Sequence, residues 1–458
     1  MTDTQIKVVS LNCWGLKYVS KDRHERIAAI AASLARSDYD IIALQEIWVE
    51  ADYEHIRQSV AARLPHAKLF HSGALGAGLA ILTKWPIIAT SITPYSLNGE
   101  PIDAFGGDWF VGKGAGSVTI LHPILAQVQV FVTHLYAKGG EEGPEYNRTH
   151  RLVNAWEFAK LAKTAAELGR HVIAMGDFNS IPTSLPMTII RDHAGLNDAW
   201  AASHPHTPPP AAMISPIEGI VNYGVTADSP LNSYRDSKPS GSRIVRQYQG
   251  KRLDYVLYRP PVMGLSNTNI PHLVCTHSEV VFTETIPGNS CSFSDHFGVE
   301  AILQIRSSSE TSGNLDGDPH LINDSTPMES TTSLDGSGLE KTPANLTSNT
   351  ISTMLLALTT SYRRSQNRSH KELVTFALSI LLLLGLIGGS FWVPVSALNP
   401  IFVLLTVFIS WLATTMLYEG FIFGNWELKA LLNVIEELEL YQKQLDGQTR
   451  TPSNYSRW

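Results

Sequence analysis

The sequence predicts an α/β protein built of two β-sheets packed face to face with helices outside, followed by two membrane-spanning helices. Three observations carry this. Short apolar runs end in polar residues, with helical periodicity dispersed between them; a Ser/Thr/Gly/Asp-rich break follows; and Leu373–Tyr418 is a 46-residue stretch without Asp, Glu, Lys, Arg or His. With 458 residues, two or three separately folded units are expected.

In chain order, Ile6–Leu11, Ile41–Leu44, Leu79–Leu82, Ser117–Leu121, Val128–Thr133 and Val172–Met175 read as short buried strands. Glu25–Leu34 and Leu152–Leu168 carry apolar residues at helical spacing. Strands outnumber helices and polar residues stand at the strand ends, which suits two packed sheets with a cleft at the loop edge. His204–Gly250, with Pro208-Pro-Pro210, has no strong periodicity and is expected to be a long loop that shapes access to the cleft.

Residues 1–306 form the expected catalytic domain, and 307–350 an acidic Ser/Thr-rich linker with seven acids and one base, Lys341. That linker alone accounts for −6 of the formal −7, so the body is nearly neutral. A nucleic-acid-coating protein would need a basic footprint, and none is present. Its 44 residues would span roughly 35–40 Å as a flexible chain, tethering a domain free to move over a surface. Cys13, Cys275 and Cys291 are odd in number and widely spaced, which suggests neither a disulfide framework nor a zinc ribbon. Met1–Leu11 lacks the pattern of a signal peptide, so a cytosolic domain is expected.

One bilayer crossing takes about 20 apolar residues. Spans are expected at 373–393 and 400–423, separated by Pro394, Ser396, Asn399 and Pro400. The segment 351–372 is a basic juxtamembrane stretch whose Arg363, Arg364, Arg368 and Lys371 place it, the domain and both termini in the cytosol. In the tail, 424–458, Leu428, Leu431, Ile435, Leu438 and Leu445 recur at spacings of three, four and seven, which suits a helix on the membrane, on its own domain, or in a homodimer.

Five strands end in groups that carry chemistry: Val8-Val-Ser-Leu-Asn12, Ala43-Leu-Gln-Glu46, Phe131-Val-Thr-His134, Ala174-Met-Gly-Asp177-Phe-Asn179 and Arg252-Leu-Asp254. Ser294-Asp295-His296 forms a sixth cluster. One Asp after a strand is ordinarily a turn former or cap. Six strand-end clusters with hard oxygen donors and two histidines instead imply a shared pocket.

This order of motifs, from Leu11 to His296, resembles the endonuclease/exonuclease/phosphatase superfamily with its DNase I-like four-layer α/β sandwich. The resemblance implies Glu46 as the main Mg²⁺ ligand, with Asn12 and Asp295 beside it. It implies His296 as general base oriented by Asp254, Asp177 and Asn179 as positioning groups, and His134 at the phosphate. A narrower resemblance, to neutral sphingomyelinases and fungal inositol phosphosphingolipid phospholipases C, rests on Gly106-Gly-Asp-Trp-Phe-Val-Gly-Lys113-Gly, Thr226-Ala-Asp-Ser-Pro-Leu-Asn232-Ser-Tyr, Gly250-Lys-Arg-Leu-Asp-Tyr-Val-Leu-Tyr258 and the two C-terminal spans. It implies a regulatory switch between Asp108 and Lys113. The loop spaces Gly107 and Lys113 as a Walker A does, but Gly114 replaces its hydroxyl residue, so ATP binding is not expected.

The implied activity is Mg²⁺-dependent phospholipase C cleavage of sphingolipid phosphodiesters, inositol phosphosphingolipids or sphingomyelin, releasing ceramide. The implied partners are a membrane sphingolipid and anionic phospholipid activators, with no nucleic acid. The expected location is the endoplasmic reticulum membrane, or else the mitochondrial outer membrane. A nuclease of this superfamily would lack the lipid-type loop and hairpin. A phosphoinositide phosphatase would place Trp before Gly-Asp-x-Asn, where this chain has Ala174-Met175. A non-catalytic membrane scaffold would not need the full set of metal and base residues.

Overall fold

The structure is a computed structural model that describes residues 4–103, 107–140, 145–210, 212–235, 242–262, 270–307, 346–392 and 396–449. Its strands are β1 (Gln5–Asn12), β2 (Ile41–Gln45), β3 (His66–Phe70), β4 (Leu79–Thr83), β5 (Ile87–Pro94), β6 (Gly114–His122), β7 (Ala126–His134), β8 (His171–Asp177), β9 (Asn197–Asp198), β10 (Asp254–Arg259), β11 (His272–Val281) and β12 (Gly298–Arg306). Its helices are α1 (Arg23–Arg36), α2 (Glu50–Val60), α3 (Glu145–Glu167), α4 (Leu185–Ala194), α5 (Ala199–Ser203), α6 (Pro216–Tyr223), α7 (Arg243–Tyr248), α8 (Ser348–Gly389), α9 (Asn399–Leu417) and α10 (Gly424–Thr449). One six-stranded sheet runs β11-β12-β1-β2-β4-β3 and the other β5-β6-β7-β8-β10-β9.

Strand alternation sorts the layers. Val8, Ile41 and Ala43 face the second sheet, where Val130, Ile173 and Met175 meet them. Val9, Ile42 and Leu44 turn outward onto Ile27, Ile30 and Ile56 of α1 and α2. On the other side Phe131, Val172 and Ala174 pack under Trp156, Phe158 and Ala162 of α3. Because successive side chains point to opposite faces, a strand buried on both sides needs apolar residues at nearly every position. The result is the expected four-layer sandwich.

β1 and β2 are parallel, as are β7 and β8, and β10 runs antiparallel to β8. The C-terminal ends of β1, β2, β7 and β8 and the N-terminal end of β10 therefore meet along one edge, which carries every strand-end motif.

Most of the linker, 308–345, lies outside the described residues. Beyond it the chain does not behave as a free tether. Thr347 caps α8, accepting from the backbone N–H of Thr350, so the helix starts inside the range expected for the linker. The expected juxtamembrane stretch 351–372 is the first half of this 42-residue helix. Ile351, Met354, Ala357 and Leu358, spaced for one helical face, are buried against α3. In the tail Leu431, Val434, Ile435 and Leu438 join the same core, with Leu445 packed against it. Leu431, Ile435, Leu438 and Leu445 of the expected seam therefore pack on this chain's own domain, while Leu428 stays half-buried outside that core.

Thr149, near the start of α3, pairs with Ser361, while Trp156 and Lys160 further along α3 reach Glu437. α8 therefore climbs toward the strand-end edge and α10 descends from it. Both apolar helices leave from the edge that carries the site. Ser348–Trp392 and Ser396–Leu445 are long and apolar enough to cross a membrane. The residues 393–395 between them, including Pro394, lie outside the described residues.

The long loop 204–250 holds two short helices that periodicity did not reveal. Ser215 accepts from the Glu218 N–H with Pro216 at the first turn of α6, and Ser242 accepts from the Val245 N–H to open α7. The capping chemistry was in the sequence, but each helix is too short to show a repeat.

Candidate active site

Two backbone devices bring the strand ends together. Glu46 sits in the left-handed region at φ 54°, and its carbonyl accepts from the Gly15 N–H at 2.8 Å. A Cβ on Gly15 would lie 2.5 Å from that carbonyl oxygen, so only glycine permits the turn. Gly176, at φ 148°, lets β8 lie against Thr133 where any Cβ would collide with its carbonyl. Asp177 is thereby registered opposite His134.

The structure brings all ten sequence-predicted site residues to this edge. The Asn12 amide donates to Glu46 Oε1 and to Asp177 Oδ2, both at 3.1 Å, while its oxygen accepts from Trp14 N–H. Asn12 thus holds two carboxylates in place across the two sheets. His296 Nδ1 lies 2.9 Å from Asp254 Oδ2, and its Nε2 stands 3.9 Å from Asp177 Oδ2. The Asn179 N–H donates to Asp177 Oδ1 at 2.8 Å and its side chain to Leu135 O at 3.0 Å. Lys113, only 3 % exposed, pairs with Asp108 at 2.9 Å, donates to Leu135 O and lies 3.4 Å from His134 Nε2. After Lys113 the chain enters strand β6, where a nucleotide-binding P-loop would open a helix.

The electrostatics divide the groups. Burial, and then Asp295, push the Glu46 carboxyl up to about 7, and burial raises Asp295 as well. Burial and Asp254 lift Asp177 to about 6. Burial opposes charge on His296, but Asp254 and Asp177 outweigh it and hold the imidazolium well above the ordinary range. Burial, Lys113 and His296 keep His134 well below that range and neutral. One histidine is thus tuned to carry a proton and the other to stay neutral.

The pocket fits a hard divalent cation. Glu46, Asp177, Asp254 and Asp295 outnumber the cations beside them, Asp295 disfavours charge on Glu46, and Asp254 disfavours charge on Asp177. The Asp254 Oδ1 is buried without a hydrogen-bond partner. Asp177, Asp254 and His296 also present ligand atoms within 4.8 Å of one another. Oxygen donors with surplus negative charge are what Mg²⁺ or Ca²⁺ takes.

Sequence reasoning gave Thr226 no role. Its hydroxyl accepts from the N–H groups of Leu253 and Asp254, and its carbonyl accepts from the Phe297 N–H at 2.7 Å. One residue therefore clasps both strands that carry the His296–Asp254 pair. Only its place in the Thr226–Asn232 segment marked it. The contacts of the switch loop with the C-terminal helices were also not legible: Trp109 meets Phe423 edge to face at 5.0 Å, Arg368 pairs with Glu100 and Glu427, and the Trp426 indole donates to Ser96 O at 2.8 Å.

The model of the Endonuclease/Exonuclease/phosphatase family matches residues 9–296. An inositol phosphosphingolipids phospholipase C of Schizosaccharomyces pombe is 34 % identical over 443 residues, covering 95 % of this chain and 94 % of that protein. The enzyme of the same name from Saccharomyces cerevisiae is 32 % identical, covering 94 % of this chain and 89 % of that protein. Sphingomyelin phosphodiesterase 2 of Rattus norvegicus is 30 % identical and covers 66 % of each chain.

Proposed function

The chain belongs to the Endonuclease/Exonuclease/phosphatase family, in its inositol phosphosphingolipid phospholipase C and neutral sphingomyelinase branch, and on that premise we propose that it is a Mg²⁺-dependent phospholipase C acting on inositol phosphosphingolipids. It is a phosphoric diester hydrolase, and its relatives support hydrolysis of sphingolipid phosphodiesters. The observation that carries the reading is that the metal-type carboxylates, the His296–Asp254 pair and Lys113 converge on the edge from which two apolar helices leave. The choice of headgroup is supported by the fungal relatives, whose similarity extends through the C-terminal helices.

Glu46 and Asp295 would hold the cation, with Asn12 orienting Glu46 and Asp177. Bound there, the cation neutralises phosphoryl oxygen charge. With the carboxylate charge that holds its second proton offset by a cation, His296, its Nδ1–H donated to Asp254, would accept a proton from the attacking water at Nε2. Asp254 stabilises the imidazolium and fixes the ring. Asp177 and Asn179 position the water and the phosphoryl group, and Lys113 and His134 face the phosphoryl oxygens. Water supplies hydroxyl to phosphorus, the bond to the ceramide oxygen breaks, ceramide leaves protonated and the phosphate stays with the headgroup. The Asp108–Lys113 ion pair is the closed arm of a switch: Lys113 leaves Asp108 as the loop rearranges to admit lipid.

The docked helices support a reading in which this chemistry acts at a bilayer. The apolar run begins at Leu373, five residues after Arg368, about 7.5 Å along the helix axis. Exposed Arg363, Arg364 and Lys371 supply positive charge for anionic phospholipids at about 1 kcal/mol each, while Arg368 is committed to Glu100 and Glu427. The domain and both termini lie in the cytosol, on the endoplasmic reticulum or the mitochondrial outer membrane. The test measures ceramide release by the purified protein from inositol phosphoceramide and sphingomyelin and, as a control, strand cleavage of DNA, each with and without Mg²⁺. Release from inositol phosphoceramide that needs Mg²⁺ is expected. Faster release from sphingomyelin would overturn the headgroup assignment, and cleavage of DNA alone would overturn the lipid reading.

A further inference from the structure

Helix α6 buries one side and, among the described residues, leaves the other unpartnered. Ile220 packs with Val225 and Phe297. Gly219 lies against the Tyr248 carbonyl. Away from these contacts Ile217 is 65 % and Val221 59 % exposed, four residues apart and so on one face; Met213, just before the helix, is 71 % exposed. Grouped together, these aliphatic side chains form an apolar patch, unlike an isolated exposure such as that of Leu168. The helix ends beside the chemistry: Thr226, three residues after Tyr223, is bonded to Asp254, and Ala227 pairs with His296.

The other loops of this edge share the feature. Tyr18 and Val19, in the loop that leaves β1 after Asn12, are exposed, as are Leu75 before β4 and Phe110 in the switch loop, joined by a backbone bond from the Leu75 N–H to the Phe110 carbonyl. β6 and β10 lie apart in the same sheet, with β7 and β8 between them, so the switch loop entering β6 and α6 preceding β10 flank the cleft from opposite sides. At the switch-loop side the rim is continuous with the C-terminal helices through the Trp109–Phe423 contact. Both candidate spans leave from this edge, so what the spans enter is what the rim meets.

We infer that α6, with Ile217 and Val221, is a membrane-docking helix that seats the cleft mouth in the interfacial layer of the bilayer, opposite the transmembrane pair. It rests on the reading that α8 and α9 insert in a membrane. An apolar face at the interface gains by leaving water, as amphipathic surface helices do. With spans on one side and α6 on the other, a lipid phosphodiester need rise only partly from the bilayer to reach His296.

The test uses the full-length protein in vesicles of phosphatidylcholine and phosphatidylserine carrying nitroxide-labelled lipid. The three native cysteines are buried, so an added surface cysteine accepts a polarity-sensitive dye selectively. Dye at Ile217→Cys should shift to the blue and be quenched. Dye at Val407→Cys reports span insertion, and dye at Leu168→Cys, exposed on the opposite edge, should do neither. Quenching at 407 but not at 217 overturns the docking helix and leaves the span reading intact; quenching at neither overturns both. Ile217→Asp should lower ceramide release from vesicles about tenfold, with cleavage of a short-chain monomeric sphingolipid unchanged. Equal rates for Ile217→Asp and the unmodified protein on vesicles would refute the inference.

Discussion

Leu431→Asp tests whether the C-terminal helices govern the active site or merely tether it. Leu431 is fully buried where α10 packs on α3 and α8, one turn beyond Glu427. Removing a buried leucine costs about 2–5 kcal/mol before an unpaired carboxylate is added, enough to release α10. Release loosens two restraints on the loop that carries Lys113: the Trp426 indole on Ser96 O, and Glu427 on His150, whose Nδ1 accepts from the Gly99 N–H. At about 0.5–1.5 kcal/mol for the neutral bond and 1.5–3 for the charged one, they sum to roughly 2–4.5 kcal/mol of ordering. The loop is tied to Lys113 by the Asn98 amide on the Lys113 carbonyl at 3.0 Å. If only about 1.4 kcal/mol of that ordering holds Lys113 in place, turnover falls tenfold. The assay compares ceramide release from vesicles and from short-chain monomeric substrate, with amide hydrogen exchange read over 96–113. Loss on both substrates with faster exchange is expected, and Leu431→Met, which keeps the volume, should behave as the native protein. Full activity on monomeric substrate with unchanged exchange would refute the coupling and restore the tether.

Glu46→Gln should abolish turnover while leaving the unfolding temperature within a few degrees, because it removes a buried charge and no packing; a chelator should reproduce the loss and added Mg²⁺ reverse it. Near-native activity of the variant at limiting Mg²⁺ would refute the metal assignment. His296→Ala and Asp254→Asn should each slow the chemical step, typically by 10²–10⁴-fold for the base, and the double variant should be little worse than His296→Ala alone. Multiplying losses would show the two side chains acting separately. Acid should destabilise the domain through histidines outside the site. Burial first of all depresses His171 and His193 from 6.5 to about 4. The unfolded chain therefore binds protons first as pH falls, so stability present above about 6.5 is lost toward 4, up to about 3 kcal/mol for each. His193→Phe should flatten the fall in unfolding temperature between pH 7 and 5, and an unchanged slope would show that His193 titrates freely.

The sequence by itself determined the sandwich and the edge at which its polar strand ends meet. Val8-Val-Ser-Leu and Ile41-Ile-Ala-Leu are apolar on both faces, which only a strand between two layers tolerates, and a polar residue at the end of each such strand has nowhere to go but the shared edge. The edge strand β5 escaped detection because most of it is exposed and carries no alternation to read. What tertiary structure alone decided is where the C-terminal helices stand. Ile351, Met354 and Leu358 show a helical stripe, but a stripe states only that a face will be covered, not by what. Leu431 and Leu438 show spacing that would serve a second copy equally well. The choice rests on α3, whose outer face offers Trp156 and a row of alanines at matching height, and on Arg368, which meets Glu100 across 268 residues of chain. Such pairings depend on shape and charge complementarity between distant segments, a property of no local window, and here they dock α8 and α10 on the domain beside the cleft.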